Sequence, residues 1–242
     1  MDWYSRAEDY DAWFSWDPAK EREFVLGASK RYGNARPRRI IEPMCGPGRL
    51  LRAMPGRAVG LDVNAAMLRI SARTNPVFRA DAAQFAVRGG SFDLAYNLID
   101  SFRHLRSDEA AAGHLRCVAH ALAPGSVYVL GLEVNGDIPG DVLRDEWTGE
   151  RDGARVTGFV EGLGDADPDS RQETMRVVYA REGGPQREFF HTMRTYTRAQ
   201  LEDLIDDEGS FEILAVTDRH LDLDQPIELS EIAGSAVLVL GR

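Results

Sequence analysis

Short apolar runs alternate with helical patterns from residue 38 to about 132, an order of elements that folds as a parallel sheet with helices on both faces. The strand candidates are Arg39-Ile40-Ile41, Ala58-Val59-Gly60-Leu61, Val77-Phe78, Phe92 to Tyr96, and Val127 to Leu132. Helices are expected over 48–54, 64–73 and 107–122; the last opens with Ser107-Asp108-Glu109 and stops before Pro124-Gly125. The reading is a doubly wound α/β fold, in which ligands bind at the carboxyl ends of the strands.

The flanking segments differ in kind. Residues 1–35 read as a helical lid: Asp17 caps a helix begun by Pro18, Glu21 supports its first turn, and Gly33 falls where it ends. Trp3, Tyr4, Tyr10, Trp13, Phe14 and Trp16 precede that helix. Most such aromatics pack onto a core, and a subset lining a pocket mouth is the sharper alternative. Residues 155–162, 171–179 and 186–196 read as strands with turns and no helix between them, hence an antiparallel β-platform. Thr197-Arg198-Ala199-Gln200 is a capping box opening a helix to about 208, Gly209 closes it, and Phe211–Val216 and Ala236–Leu240 read as two last strands. No linker separates these parts, so residues 1–242 are expected to form a single domain. Its parts would be the lid (1–35), a core (36–133 and 197–242) and an inserted platform (134–196).

With 43% apolar residues, a chain of 242 residues buries a full core without disulfide or metal staples. A formal charge of −10 provides no long-range field for collecting phosphates, so no nucleic-acid partner is expected. Cys45 and Cys117 are too few for a disulfide scaffold and lack zinc-ligand spacing, which points to a reduced, cytoplasmic setting. The amino terminus lacks the basic and apolar regions of a signal peptide. The longest uncharged stretch, between Arg116 and Glu133, is interrupted by His120, Pro124, Gly125 and Ser126, so no membrane span is expected. The acidic run from Asp165 begins like a calcium loop but has Ser170 where a glycine is required and Arg176 where an acid is required, so it reads as a solvated turn. His114 and His120 do not share a helix face, and no metal site is predicted.

The chemistry concentrates after the first strand, in Glu42-Pro43-Met44-Cys45-Gly46-Pro47-Gly48-Arg49-Leu50-Leu51. Glycines between a strand and a helix let the backbone approach a ligand closely. A nicotinamide fingerprint needs a third glycine where Leu51 stands, and its ribose acid should come later than Asp62 does. Glu42 suits an amino-bearing ligand and repels a diphosphate. Asp62, at the second strand end, can accept hydrogen bonds from both hydroxyls of a ribose, and Asp81, at the third, from an exocyclic amine such as that of adenine. Each acid alone is an ordinary cap or turn residue; three at successive strand ends form a pattern.

On these residues the chain resembles the class I S-adenosylmethionine-dependent methyltransferases, particularly those acting on small molecules. The likeness covers about 38–132, with weaker similarity to the end: Glu42 to Gly48 looks like the family's glycine motif, Val59 to Leu68 like its second motif, and Ala80-Asp81-Ala82 like its third. It implies a Rossmann-like, seven-stranded, mostly parallel sheet with an antiparallel last strand, and S-adenosylmethionine as cofactor. In that picture Cys45, Gly46 and Gly48 cradle the methionine part, Asp62 holds the ribose, and Asp81 binds the adenine amine, with Met67 and Ala82 against the ring. Asn97 and Leu98 match the fourth-strand motif beside the reacting methyl. The expected cofactor set further includes Tyr10 from the lid, Glu42 and Arg49 flanking the glycines, and Val63 after Asp62. The chain departs from the family at Met44, where a Gly or another small residue is usual, and at Asp100, where small or apolar residues are commoner.

Methyl transfer from a sulfonium is an in-line displacement in which alignment inside a dry pocket does most of the work. An oxygen nucleophile needs a nearby base, whereas an amine needs only a weak proton acceptor. Candidate catalytic groups are His104 after strand four, Glu133 at the end of strand five, and His191 on a platform strand. The expected function is methylation of a nitrogen or oxygen of a small molecule, with homodimerisation left open. The alternative is a catalytically inactive S-adenosylmethionine-binding or regulatory protein of the same fold.

Overall fold

The structure, a computed structural model, describes residues 3–134, 144–164, 166–232 and 234–242. Two helices open it, α1 (Ala7–Trp13) and α2 (Ala19–Tyr32). There follow β1 (Arg39–Pro43), β2 (Arg57–Asp62), α3 (Ala65–Ser71), β3 (Val77–Arg79), β4 (Phe92–Asn97), α4 (Asp108–Ala121) and β5 (Leu122–Val134). A run of strands comes next, β6 (Arg144–Arg151), β7 (Ala154–Gly162), β8 (Gln172–Arg181) and β9 (Gln186–Arg194). The chain ends with α5 (Arg198–Glu208), β10 (Glu212–Asp218) and β11 (Gly234–Gly241).

Seven strands form one sheet in the order β10-β11-β5-β4-β1-β2-β3, and only β11 runs antiparallel to its neighbours. This is the Rossmann-like sheet that the sequence implied. Alternation along β5 explains its two-sided core: Tyr128, Leu130 and Leu132 face Leu115 and Val118 of α4 and Leu201 of α5, while Val127 and Val129 face Phe24, Val25 and Ala28 of α2. The strand order reverses at β1, which lies between β4 and β2, and a crevice opens there beyond the carboxyl ends.

Several elements differ from expectation for local reasons. The helix expected over 48–54 is one short 3-10 turn, Leu51–Ala53, because Pro55 cannot extend it and forces Met54 into extended backbone. Asp17 does accept from the Ala19 amide at 3.0 Å, with Pro18 as the flanking residue, so α2 starts one residue later than expected. β5 begins at Leu122, directly after α4, and takes up Pro124 and Gly125 as an irregularity in its pairing with β4.

The platform is a separate antiparallel sheet, β6-β7-β8-β9. Its edge strand β6 was not foreseen, since Arg144-Asp145-Glu146-Trp147-Thr148-Gly149-Glu150-Arg151 is mostly charged and exposed. Trp147 and Gly149 are what hold it. Trp13 and Trp147 stack at 4.5 Å, and each indole N–H donates to the other's carbonyl, at 3.2 and 3.1 Å. Any side chain at position 149 would collide with the Trp13 carbonyl. The lid aromatics Trp3, Trp13 and Phe14 therefore pack on Val156, Val177 and Tyr179 of the platform, and the large sheet is not their partner. The acidic turn centres on Asp167, whose carboxylate accepts from Asp169 and Ser170; Asp165 lies outside the described residues, as does the 135–143 part of the expected insertion. Among the described residues no helix is long and apolar enough to cross a membrane.

Candidate functional site

A cavity of about 1400 Å³ sits at the carboxyl ends of β1, β2, β4 and β5, roofed by the lid and by one face of the platform. Of the residues singled out from sequence, Tyr10, Gly46, Asp62, Val63, Met67, Asp81, Ala82, Leu98, His104, Glu133 and His191 line it. Glu42, Cys45, Gly48, Arg49 and Asn97 stand behind its wall.

The glycine turn is held open by Asp62. One carboxylate oxygen accepts from the Gly46 amide at 2.9 Å and the other from the Asn64 amide at 2.7 Å, which joins the ends of β1 and β2. Burial raises the Asp62 carboxyl, and those amides pull it back down. Gly46 has φ +52° and open space where a Cβ would stand, whereas a Cβ on Gly48 would collide with Ser71 of α3. One glycine clears the cavity and the other permits helix packing. The Cys45 thiol turns toward Gly60, where a Cβ would lie 2.6 Å from Sγ, so of this residue only the backbone belongs to the loop. Arg49 makes a two-pronged pair with Glu21, both contacts at 2.6 Å, beneath the Trp16 ring, and so fastens the start of α2 to the turn. Met44 occupies left-handed space at φ +54° and lines the cavity.

Behind this turn, Glu42 accepts from the Tyr96 hydroxyl at 2.9 Å, and burial pushes its carboxyl up to about 8. Between pH 4.5 and 8 the folded chain thus holds a proton that the unfolded chain releases, and Glu42 costs stability progressively as pH rises through that window. Gln in its place keeps an acceptor for Tyr96 and needs no proton. Denaturant titrations without ligand are expected to find Glu42→Gln near wild type at pH 5 and more stable than wild type at pH 8; equal stability at both would contradict the assignment. Asn97 donates to the Pro43 carbonyl at 2.7 Å, while its Oδ1 is buried and has no partner among the described residues.

Asp81 is turned back on its own loop, accepting from the Ala83 amide at 2.9 Å and from the Gln84 side chain at 3.2 Å, and its residue stays exposed at the cavity. Space over Gly46, paired acceptors at Asp62 and Asp81, and the apolar surfaces of Met67 and Ala82 fit a ligand made of an amino acid, a ribose and a purine.

The three catalytic candidates line the same cavity, and two of them lie side by side. Tyr4 from the lid places its hydroxyl 2.9 Å from His104 Nε2, and the His104 and His191 rings lie 5.7 Å apart. Burial, reinforced by His104 and Arg103, lowers His191 to about 4, which leaves it neutral, and its Nδ1 is buried without a hydrogen-bond partner among the described residues. The Glu133 carboxyl is raised by burial and then by Asp100, with Ser235 and Arg103 opposing, and its Oε2 is buried without a hydrogen-bond partner among the described residues. Asp100, unusual for the family, has a specific task here: at φ +50° it accepts from the Glu133 amide and from Arg103, both at 2.9 Å. Arg103 also pairs with Glu173 and donates to the Arg194 carbonyl, which connects the turn after β4 to the platform. Sequence reasoning did not single out Tyr4, Arg103 or Glu173 for this site. Only the Trp-Tyr richness of the lid hinted at the first, and the other two depend on platform register.

Residues 40–125 match the family model described as a methyltransferase domain. No curated protein matches the chain. Among solved structures it is similar to an S-adenosylmethionine-dependent methyltransferase from Clostridium acetobutylicum, at 15% identity over 99% of this chain and 98% of that one, with a TM-score of 0.75. It is also similar to a sugar N-methyltransferase from Streptoalloteichus sp. (21% identity, 93% and 89% covered, TM-score 0.66). A third is an S-adenosylmethionine-bound amino pentose methyltransferase from Micromonospora echinaspora (17% identity, 99% and 92% covered, TM-score 0.64). The matched segment carries the glycine turn and the acidic strand ends Glu42, Asp62 and Asp81, so residues 40–125 have the pattern of a methyltransferase domain and the chain as a whole has the fold of these S-adenosylmethionine-dependent methyltransferases.

Proposed function

We infer that the protein methylates an amine nitrogen of a small molecule, with Glu133 as the proton acceptor. The observation that carries this reading is Glu133 in the cavity lining, with a carboxyl raised by burial and by Asp100 and an Oε2 that has no hydrogen-bond partner among the described residues. A carboxylate there attracts an ammonium ion, and a raised carboxyl suits the removal of its proton. Asp62 would hold the ribose hydroxyls of the cofactor, Asp81 the adenine amine, and the Gly46 backbone the methionine part. Bound there, the cofactor supplies a sulfonium-activated methyl group. The chain's own contribution is alignment and exclusion of water by the lid and platform, for which Trp3, Tyr4, Tyr10 and Phe14 line the roof. His104, braced by Tyr4, and the neutral His191 would orient the amine through its remaining N–H or a neighbouring hydroxyl. The naming of two similar structures as sugar or amino pentose methyltransferases favours an amino sugar.

The test is release of S-adenosylhomocysteine and a methyl gain in product mass over a panel of amino hexoses and amino pentoses, each paired with the hydroxyl compound of the same ring. Turnover of amines and none of their hydroxyl counterparts is expected. Turnover confined to the hydroxyl compounds would sink the reading.

A further inference from the structure

We propose that His114 is a positioning residue for the adenine end of the cofactor, setting the Asp81 carboxylate through the single peptide group between Ala82 and Ala83. The proposal rests on the reading that Asp81 receives the adenine amine.

His114 lies midway along α4, fully buried and outside the cavity. Its Nδ1 is 3.0 Å from the Ala82 carbonyl oxygen and its Nε2 is 2.9 Å from the Tyr128 hydroxyl of β5. A carbonyl only accepts, so Nδ1 carries the proton; the bare Nε2 of a neutral imidazole only accepts, so Tyr128 donates. Burial keeps the imidazole neutral and the phenol protonated. The chain of donors therefore has one order: Tyr128 to His114 to Ala82.

The peptide that receives this bond is also the one that holds Asp81. Its carbonyl is Ala82 oxygen, and its N–H, on Ala83, donates to Asp81 Oδ1 at 2.9 Å. A trans peptide is planar with its C=O and N–H opposed, so pinning the carbonyl toward α4 aims the N–H at the carboxylate. The helix closes on the same loop: a Cβ on Gly113 would lie 2.6 Å from the Ala83 carbonyl oxygen, and the Cys117 thiol is 3.8 Å from it. A buried histidine that merely satisfied the core would have no reason to end on this peptide.

The experiment compares calorimetric affinities for S-adenosylhomocysteine and S-inosylhomocysteine, which differ in the six-position amine, using the full chain. Wild type is expected to favour the adenine compound by at least about tenfold, since one hydrogen bond to a charged group is at stake. His114→Gln, which lacks a donor at the Nδ1 position, should lower that preference to within about threefold while changing affinity for the inosine compound by less than threefold. His114→Asn, whose amide can donate from the Nδ1 position, should restore most of it. A folded His114→Gln with the wild-type preference overturns the proposal. Should the variants not fold, wild-type protein labelled with nitrogen-15 histidine answers instead. A protonated Nδ1 whose signal moves more with S-adenosylhomocysteine than with S-inosylhomocysteine supports the role, and a bare Nδ1 or equal shifts overturn it. Asp81→Ala separates the two ideas. A wild-type preference that this change abolishes but His114→Gln leaves intact rejects only His114, whereas no preference in wild type, or one unaffected by Asp81→Ala, rejects the adenine assignment and the proposal with it.

Discussion

Replacing Asp62 by alanine is expected to weaken binding of S-adenosylhomocysteine at least 100-fold, a loss of about 2.7 kcal/mol or more. Two ribose hydroxyls donating to one carboxylate are each worth about 1.5–3 kcal/mol, and the total falls short of additive because the same oxygens already serve Gly46 and Asn64. Those two amides lose their acceptor in the variant, so the glycine turn loosens as well as the ribose site. Asp62→Asn separates the contributions, since one amide oxygen can still hold one of the two N–H groups but offers no charge; a loss near tenfold is expected for it. The measurement is calorimetry on protein whose thermal transition has been checked. An alanine variant that melts cooperatively and binds within threefold of wild type would remove Asp62 from the cofactor site.

What could be read from the sequence, and what could not, divides along a physical line. Strand ends and glycine turns are local: the short apolar run Ile40-Ile41 followed by Glu42-Pro43-Met44-Cys45-Gly46 says where backbone must turn, and the strand order then brings Asp62 and Asp81 to one crevice. The direction a side chain takes within such a turn is not local. Cys45 and Gly48 sit in the same motif as Gly46, yet one thiol points at Gly60 and the missing Cβ of the other leaves room for Ser71, and neither fact is visible without the elements packed behind them. Platform register is less local still. Glu173 reaches the cavity because β8 pairs with β9 in one register, and a slip of one residue would turn it away. Asp100 illustrates the reverse case. It departs from the family's pattern, and its left-handed backbone is secured by the Glu133 amide and Arg103, partners that only the fold brings together.

That same link gives Glu133→Gln its expected effect, a fall in turnover of 100- to 1000-fold on an amine substrate, in the range that a positioned proton acceptor contributes. Glutamine keeps the backbone bond to Asp100 and the shape of the side chain, so affinity for S-adenosylhomocysteine should stay within threefold of wild type. The pH profile carries the sharper test. A proton acceptor works only when ionised, and burial with Asp100 raises the Glu133 carboxyl, so wild-type turnover should fall as pH drops through that raised value and recover above it. The residual activity of Glu133→Gln should lack this acidic limb while retaining the limb set by the amine itself, which belongs to the substrate. The neutral His191 does not replace it, since an imidazole lowered to about 4 is too weak a base to keep a proton taken from the amine. If the glutamine variant retains a third or more of wild-type turnover with an unchanged acidic limb, the proton leaves by another route, and the Tyr4-braced His104 becomes the group to substitute next.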